Sequence, residues 1–583
     1  MCSRPSFMRS AFHRHITVSG ERFSPRVFFF AVLAVTFLVH TSYLANGFVW
    51  LDHGDIESGR AIVPLPKIYT ALFTRFGETG FYRPVVTAVY SLDAAIYDGW
   101  APGYHLTNIA LHLAVTAAAA LFAGTFFCLT RREQWFVALI VGVHPLSWLT
   151  VGAISYRPEL LVTLFTLLAV SFHIKAEGTG RQLYVLLALG STALGVFSKE
   201  TAVLWIPALI TLWELAHFFG WPVGERRAPP HWSLPLFLGE IAIIGIYLFL
   251  RLRAVPETWR FAQIALPPSE ALGTRLAAVG KLIVQLVNPL KPGLSDATAI
   301  VSAVSIPALL AAITLITVLG VIVRLGLRSP WSRALLFLGV ALAPACNFVP
   351  LPRFSSPHYG YLAVVGVGMS AVLILRALVH TSPSLQGVTK ILIAAWMLTM
   401  AGTTFAAGFR FKDDRTLFGP EVKQDSHFLE GHYYLGDAFF LSGDYERAVQ
   451  EYNAAIAPPP GILAYVDRPA LLTNCAGALL AQGRLDEADA LLRLAAQQAS
   501  RDALLQILYN RALIHAKRGN DAQVIALLGG EEGWTRPEPL LLLSRALEHL
   551  GRNQEAVAAL RRALPLLDAN KKQQIENLIR QYE

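Results

Sequence analysis

The sequence has little charge. Asp, Glu, Lys and Arg together make up 15% of its 583 residues, against ~25% in a typical soluble globular protein. A string of soluble domains is therefore excluded. Cysteine is also scarce: Cys2, Cys128, Cys346 and Cys475 show neither C-x-x-C spacing nor histidine partners. That pattern suggests no zinc site and no disulfide framework. What the chain does have is apolar and aromatic mass, with 54% hydrophobic residues, 33 Phe, 18 Tyr and 12 Trp and a mean hydropathy of +0.46. Such a composition excludes a largely disordered chain and describes a polytopic membrane protein.

The net charge of +9 hides two halves of opposite sign. Residues 1–415 carry an excess of thirteen basic groups, whereas residues 416–583 carry an excess of four acidic ones. The basic excess belongs to the membrane part, where short cytoplasmic loops favour Lys and Arg, so it implies no nucleic-acid partner. A span needs ~20 apolar residues, and about eleven such runs recur near 27–46, 104–127, 135–151, 159–175, 182–197, 201–219, 233–250, 301–323, 334–350, 359–378 and 390–409. The first follows a basic stretch, residues 1–26. Its apolar core is too long for a secretory signal and no small-x-small cleavage site precedes Asn46, so it reads as a retained anchor.

Alternate loops are basic: Arg4, Arg9, Arg14, Arg22 and Arg26, then Arg131/Arg132, Lys175/Arg181, Arg226/Arg227, Arg324/Arg328/Arg333 and Arg376/Lys390. This set marks the cytoplasmic face. The loops 47–103, 151–158, 198–200, 251–300 and 351–358 then lie on the outer face, and so does the tail.

Beyond residue 420 a repeat of roughly 34 residues replaces the apolar runs, the period of tetratricopeptide helix pairs. Its clearest copy is Leu435, Gly436, Phe439, Gly443, Ala448, Tyr452, Ala455 and Pro460. Weaker copies align on Gly483, Gly519 and Gly551. Stacked pairs form a solenoid with a concave groove, which here predicts protein or peptide binding around Tyr434, Phe439, Asn474 and Asn510. The plainer reading is that the repeat braces the membrane part.

Candidate chemistry gathers on the outer face. Asp52 and Asp55 lie three residues apart just past the first span, where a carboxylate can serve as general base if its surroundings tune it. Arg83 of Phe81-Tyr82-Arg83-Pro84 offers a guanidinium suited to phosphate, before an interfacial apolar stretch at 85–97. His105, Asn108 and His112 share one helix face, either lining a wet cavity or bonding helix to helix. Arg157, Glu159, Lys199 and Glu200 fall on the same side, where a polar edge or cavity avoids a burial cost of roughly 2.5–3.5 kcal/mol per charge. Asp296, Asn347, Arg353 and His358 follow later. Glu214 and Glu240 fall toward cytoplasmic ends of spans and read as structural.

In order, Phe-Val-Trp-x-Asp52, Tyr82-Arg83-Pro84, Tyr104-His105-x-x-Asn108, His112, His144-Pro145, Arg157-x-Glu159, Lys199-Glu200 and a tetratricopeptide tail resemble the transmembrane-and-tetratricopeptide-repeat family. That family looks like a branch of the GT-C glycosyltransferases and includes eukaryotic protein O-mannosyltransferases. The resemblance implies an all-α fold: a GT-C-like membrane bundle over 27–415, with loop 47–103 as the catalytic candidate, followed by a helical-repeat solenoid over 416–583. It further implies transfer of a sugar from a polyprenyl-phosphate carrier in the membrane to an acceptor. The family's acid lies in the first outer loop, usually as a pair of adjacent aspartates. Here Leu51 takes the first position and Asp52 the second, which leaves Asp55 as a rival base. Arg-x-Asp of the family stands as Arg157-x-Glu159.

On this resemblance Asp52 or Asp55 takes the acceptor proton and the anomeric centre inverts. Arg83, Lys199 or Arg353 steadies the departing phosphate, while His105, Asn108, Arg157, Glu159 and Glu200 line the cavity. No cofactor is required. A divalent ion is compatible with the chemistry, although no ligand cluster of recognisable spacing calls for one. The expected setting is a bacterial inner membrane with the repeats in the periplasm, or the endoplasmic reticulum membrane in a eukaryote. Two other readings stay open: a non-enzymatic scaffold for envelope or secretory assembly, and a flippase, which lacks the paired Gly/Pro interruptions expected of it.

Overall fold

Helices follow the apolar runs. The computed structural model describes residues 25–582 apart from 78, 219–232, 256–265, 289, 291–292, 328, 350, 382–385, 457–459 and 532. Arg4, Arg9, Arg14, Arg22, Arg226, Arg227 and Arg328 lie outside the described residues. The membrane part comprises α1 (Pro25–Val39), α2 (Pro84–Tyr97), α3 (Ala101–Phe126), α4 (Arg131–Val143), α5 (Ser147–Gly152), α6 (Arg157–Thr179), α7 (Gln182–Ser198), α8 (Ala202–Phe218), α9 (Ser233–Ala254), α10 (Pro268–Val287), α11 (Ile306–Leu325), α12 (Pro330–Leu342), α13 (Ala363–Thr381) and α14 (Gln386–Gly408).

Among the described residues six helices are long and apolar enough to cross a membrane: Arg26–Ala45, Ala101–Phe126, Ile154–Thr179, Leu234–Ala254, Ile306–Leu325 and Gln386–Lys412. Shorter apolar helices at α7, α8, Pro330–Cys346 and Ala363–Leu378 fall on four further expected spans. The run 135–151 differs, because Pro145 lacks an N–H and pushes His144 to extended backbone, φ −67° and ψ 131°. One expected span becomes α4, a break and α5. The interfacial stretch 85–97 forms α2, with Pro84 in its first turn. A helix that hydropathy does not announce, α10, occupies the loop 251–300; Glu270, Arg275 and Lys281 interrupt its apolar face.

Burial sorts these helices. In α6 78% of the apolar window is buried inside the protein, against 11% in α11, so α6 runs through the centre while α11 turns outward. The ends of α1 and α14 are tied where Asn46 Nδ2 donates to the Gly408 carbonyl at 2.8 Å. Gly408 is required there, since a Cβ would meet Ser42 Oγ at 2.1 Å.

The tail opens with α15 (Asp414–Gln424). Leu417, Phe418 and Val422 join the core of the membrane part, so the expected boundary at 415/416 falls inside a helix that packs against that part. Four helix pairs follow: α16 (Leu429–Leu441) with α17 (Tyr445–Ile456), α18 (Arg468–Ala481) with α19 (Leu485–Ala496), α20 (Arg501–Lys517) with α21 (Asp521–Leu528), and α22 (Glu538–His549) with α23 (Asn553–Ala563). The last helix is α24 (Ala569–Tyr582). Gly443, Gly483, Gly519 and Gly551 make the four turns within pairs at φ of +80°, +77°, +68° and +72°, a region that L side chains avoid. Repeat spacing read from these glycines is thus a spacing of left-handed turns.

Tail and membrane part also share a small sheet. Strand β1 (Thr298–Ala299) pairs antiparallel with β2 (Ile462–Leu463), Thr298 opposite Leu463 and Ala299 opposite Ile462.

Candidate active site

The chain leaves α1 and makes a single helical turn at His53–Glu57, which positions both early aspartates. Asp52 is wholly buried. The Ser155 N–H donates to its Oδ1 at 2.7 Å, and the Ile154 and Val49 N–H groups donate to Oδ2 at 3.2 and 3.4 Å. Burial pushes its carboxyl up to about 7, against the pull of those amides. Asp52 therefore staples the loop after α1 to the turn that starts α6. Asp55 is buried one turn further on, and its Oδ1 accepts from Arg60 Nη2 at 2.6 Å. Burial raises this carboxyl too, opposed by Arg60 and Arg83.

Beside Asp55, whose charge Arg83 offsets, a row of alternating charges crosses the ends of α2, α6 and α7. Arg83 grips Glu200 through Nη2 and Nε at 2.9 and 3.3 Å and lies 3.9 Å from the centre of the Phe81 ring. Burial would raise the Glu200 carboxyl, but Arg83 and Lys199 hold it down at about 2. Lys199 pairs with Glu159, and His358 Nε2 lies 3.5 Å from the same Glu159 oxygen. Burial, reinforced by Lys199, Arg353 and Arg83, keeps the His358 imidazole well below its usual pKa and hence neutral. Asp55, Arg83, Glu159, Lys199 and Glu200 are thus brought together.

The other candidates are engaged elsewhere. Arg157 is wholly buried, with Nη1 2.7 Å from Asp93, Nε donating to Asn108 Oδ1 at 2.7 Å and Nη2 to the Tyr104 carbonyl at 3.1 Å. Asn108 Nδ2 reaches the Val151 and Ala153 carbonyls at 3.2 and 3.4 Å, and His105 Nε2 the Gly47 carbonyl at 3.1 Å. The polar stripe on α3 is a lock between helices beneath the charged chain. Arg353 faces the tail, holding Glu430 at 2.7 and 2.5 Å, and Trp50 Nε1 donates to the same carboxylate at 3.0 Å. Asp414 completes this clasp by accepting from the Trp50 N–H at 2.8 Å and meeting His53 Nε2 at 2.9 Å.

The four tail candidates do not meet. Tyr434 stacks on Phe418, Phe439 lies under Arg415 and Arg447, and Asn474 donates to Tyr433 and Asp437. Asn510 accepts from Gln506. The open groove lies nearer Asn510: a cavity of about 960 Å³ lined by Gln506, Tyr509, Trp534, Arg536 and Glu538 reaches Arg60. A second cavity of about 440 Å³, lined by Arg75, Phe73, Thr74 and Thr87, also reaches Arg60. Arg60, Asp93, Asp414 and Glu430 are the residues that sequence reasoning missed. Only Arg60 carried a local signal, as the first cation after Asp55 in the loop. Among the described residues no group of three or more His, Cys, Asp or Glu is placed to hold a metal ion.

The tetratricopeptide repeat family model matches residues 537–566, which cover α22 and α23. The chain is also similar to protein O-mannosyl-transferases. One from Caenorhabditis elegans is 28% identical over 199 residues, 32% of this chain and 28% of that protein. TMTC3 of Mus musculus is 24% identical over 193 residues, 32% and 19% of the two chains, and TMTC2 of Homo sapiens 29% over 154 residues, 24% and 18%. These names match the family that the ordered motifs resemble. The chain spans less than a third of the length of each of these curated relatives. Among solved structures, ArnT from Cupriavidus metallidurans bound to undecaprenyl phosphate overlaps 82% of this chain and 81% of its own at 13% identity, with a TM-score of 0.39. Yeast Tom70 overlaps 81% and 95% at 10% identity, with a TM-score of 0.21. Overlaps this loose transfer no residue roles.

Proposed function

We propose that the protein is a membrane glycosyltransferase that moves a sugar from a polyprenyl-phosphate carrier to a hydroxyl of a polypeptide on the periplasmic or lumenal face, in the manner named for its mannosyl-transferase relatives. The observation that carries this reading is the placement of Asp55. It ends a buried chain of alternating charges and meets, through Arg60, both the cavity beside the membrane helices and the groove of the repeats.

In the proposed reaction the acceptor oxygen attacks the anomeric carbon while the bond from that carbon to the phosphate oxygen breaks. The acceptor proton passes to Asp55, and the phosphate leaves with the bonding pair. A single displacement inverts the anomeric centre. Arg83 and Lys199 are the cations placed to offset the charge gathering on the phosphate, with Glu200 and Glu159 fixing their positions. Asp52 shapes the loop instead of taking the proton, because both of its oxygens are held by backbone amides. The repeat groove raises the local concentration of the acceptor segment.

The test is sugar transfer in membranes carrying wild type or Asp55→Asn, supplied with radiolabelled polyprenyl-phosphate sugars and outer-face polypeptides. Loss of a general base typically costs about 10²–10⁴-fold, so Asp55→Asn should fall at least a hundredfold at unchanged expression. Wild type inert across a broad donor panel, together with an Asp55→Asn chain that complements a deletion, would leave the repeat groove as the working part.

A further inference from the structure

Trp50 stands in a conformation that its side chain resists. Its φ is +59°, in the left-handed region where a bulky residue is an outlier. Such strain persists only where the surroundings over-determine it, and it gathers at active sites. Here the tail accepts from both donors of the residue. The Trp50 N–H donates to Asp414 Oδ1 at 2.8 Å and its Nε1 to Glu430 Oε1 at 3.0 Å. The indole packs edge-on against Phe418 of α15, ring centres 5.5 Å apart. Arg353, itself held by Glu430, lies 5.1 Å from the centre of the indole. Trp50, Asp414 and Glu430 are all buried.

Trp50 in turn supports the backbone of Asp55. The Trp50 carbonyl accepts from the His53 N–H at 3.4 Å and the Leu51 carbonyl from the Asp55 N–H at 2.9 Å, so Asp55 hangs from the residue after the strained one. Two positions past Trp50, Asp52 is tied to the amides that open α6. His53 adds a further tie to the tail: Nε2 meets Asp414 Oδ2 at 2.9 Å while Nδ1 pairs with Glu57. Burial would lower this imidazole, but Asp414 and Glu57 raise it to about 9, so a cation bonds both carboxylates. Released from the tail, Trp50 would relax toward negative φ. With Asp52 still anchored, that rotation must be absorbed in the loop and turn that carry Asp55.

We propose that the repeat tail is a latch on the Asp55 turn: Asp414 and Glu430 hold Trp50 in its left-handed conformation, and Trp50 thereby holds Asp55 where the acceptor hydroxyl meets it. Trp50 is a positioning residue, and the two tail carboxylates act through it. The latch stands on the geometry of the turn; its effect on transfer rests on the glycosyltransferase reading above.

The experiment uses the purified full chain in detergent and follows amide hydrogen exchange over residues 50–57. The variants are Asp414→Ala, Asp414→Asn, Trp50→Phe and, as a control in the tail, Arg484→Gln, whose exposed side chain pairs with Glu487. Asp414→Ala should speed exchange of the turn about tenfold or more, while α6 and the pairs from α18 to α23 keep their protection. Asp414→Asn retains an oxygen for the Trp50 N–H and should recover most of the loss. Trp50→Phe keeps a ring but lacks the donor to Glu430, and should speed exchange about fivefold. Arg484→Gln should match wild type. A turn as protected in Asp414→Ala and Trp50→Phe as in wild type would overturn the latch, and Trp50→Phe alone decides if Asp414→Ala does not fold.

Transfer kinetics separate the latch from the reading beneath it. With sugar transfer active, Asp414→Ala should lower kcat about tenfold to a hundredfold with the acceptor KM nearly unchanged, because the base is misplaced while the groove is intact. Asp414→Asn should restore kcat. A loss carried by acceptor KM alone, or a kcat equal to wild type, would sink the latch and leave the transferase reading. A wild type that transfers nothing, with the turn still loosened in Asp414→Ala, would sink the transferase reading and leave the tail's hold on the turn.

Discussion

Asp52 and Asp55 differ in what surrounds them more than in where they lie. Three backbone N–H groups converge on Asp52, and a buried donor left unpaired costs about 1–3 kcal/mol. Asp52→Ala should therefore lower stability by about 3 kcal/mol or more, read as an earlier thermal midpoint in detergent, whereas Asp55→Ala removes a hydrogen bond to Arg60, whose guanidinium borders an open cavity, and should cost far less. The sequence shows two acids on one loop and does not separate them. The separation depends on amides of residues 154 and 155, about a hundred positions away, which no local spacing reveals. Arg157 teaches the same lesson. Its motif placed it beside Glu159, yet the first turn of α6 sends the two side chains apart, one to Asp93 and the other to Lys199.

Elements were legible wherever one pattern ran unbroken. The long spans α3, α6 and α11 follow from continuous apolar stretches, and the repeats follow from glycine spacing. By contrast α10 escaped because charges interrupt its apolar face, and α4 ends early because a proline outweighs the hydrophobic run. The repeat offers a matched pair of tests. At Gly443 a Cβ would meet nothing within 4 Å, but φ is +80°; at Gly436 the backbone is helical, but a Cβ would lie 2.6 Å from the Tyr452 ring. Gly443→Ala should cost about 1–2 kcal/mol from backbone strain alone. Gly436→Ala should cost about 1–3 kcal/mol from overpacking, and only this second loss should be relieved by Tyr452→Leu. Denaturant melts of the full chain carrying each single and double change would check both.

At the scale of the whole molecule the tail is docked on the loops that carry Trp50 and Arg353. Glu430 binds both Arg353 and Trp50, and breaking a buried pair by removing one partner costs about 3–5 kcal/mol. Glu430→Ala should expose the segment around residue 425 to limited proteolysis while leaving α6 protected from hydrogen exchange. Asp296 adds a pH dependence: buried beside Glu430, its carboxyl is pushed up to about 7 while Arg353 and Lys281 pull it back, and its Oδ2 accepts from the Tyr465 N–H at 2.9 Å. The unfolded chain releases that proton near 3.8, so between about 4 and 7 the folded protein holds more protons and stability declines as pH rises. In Asp296→Asn the difference between thermal midpoints at pH 5 and pH 8 should shrink. None of this docking was legible, because its partners stand from 77 to 380 residues apart.

The two-residue pairing of β1 with β2 also dates the surface where tail and membrane part meet. Thr298 and Ala299 emerge from the ribosome long before Ile462 and Leu463 exist, so the strand they form waits without its partner until the second helix pair is being made. A nascent chain stopped before residue 460 would hold its spans but lack the finished junction with the tail, and a membrane quality-control protease would have a newly made, unpaired edge to recognise.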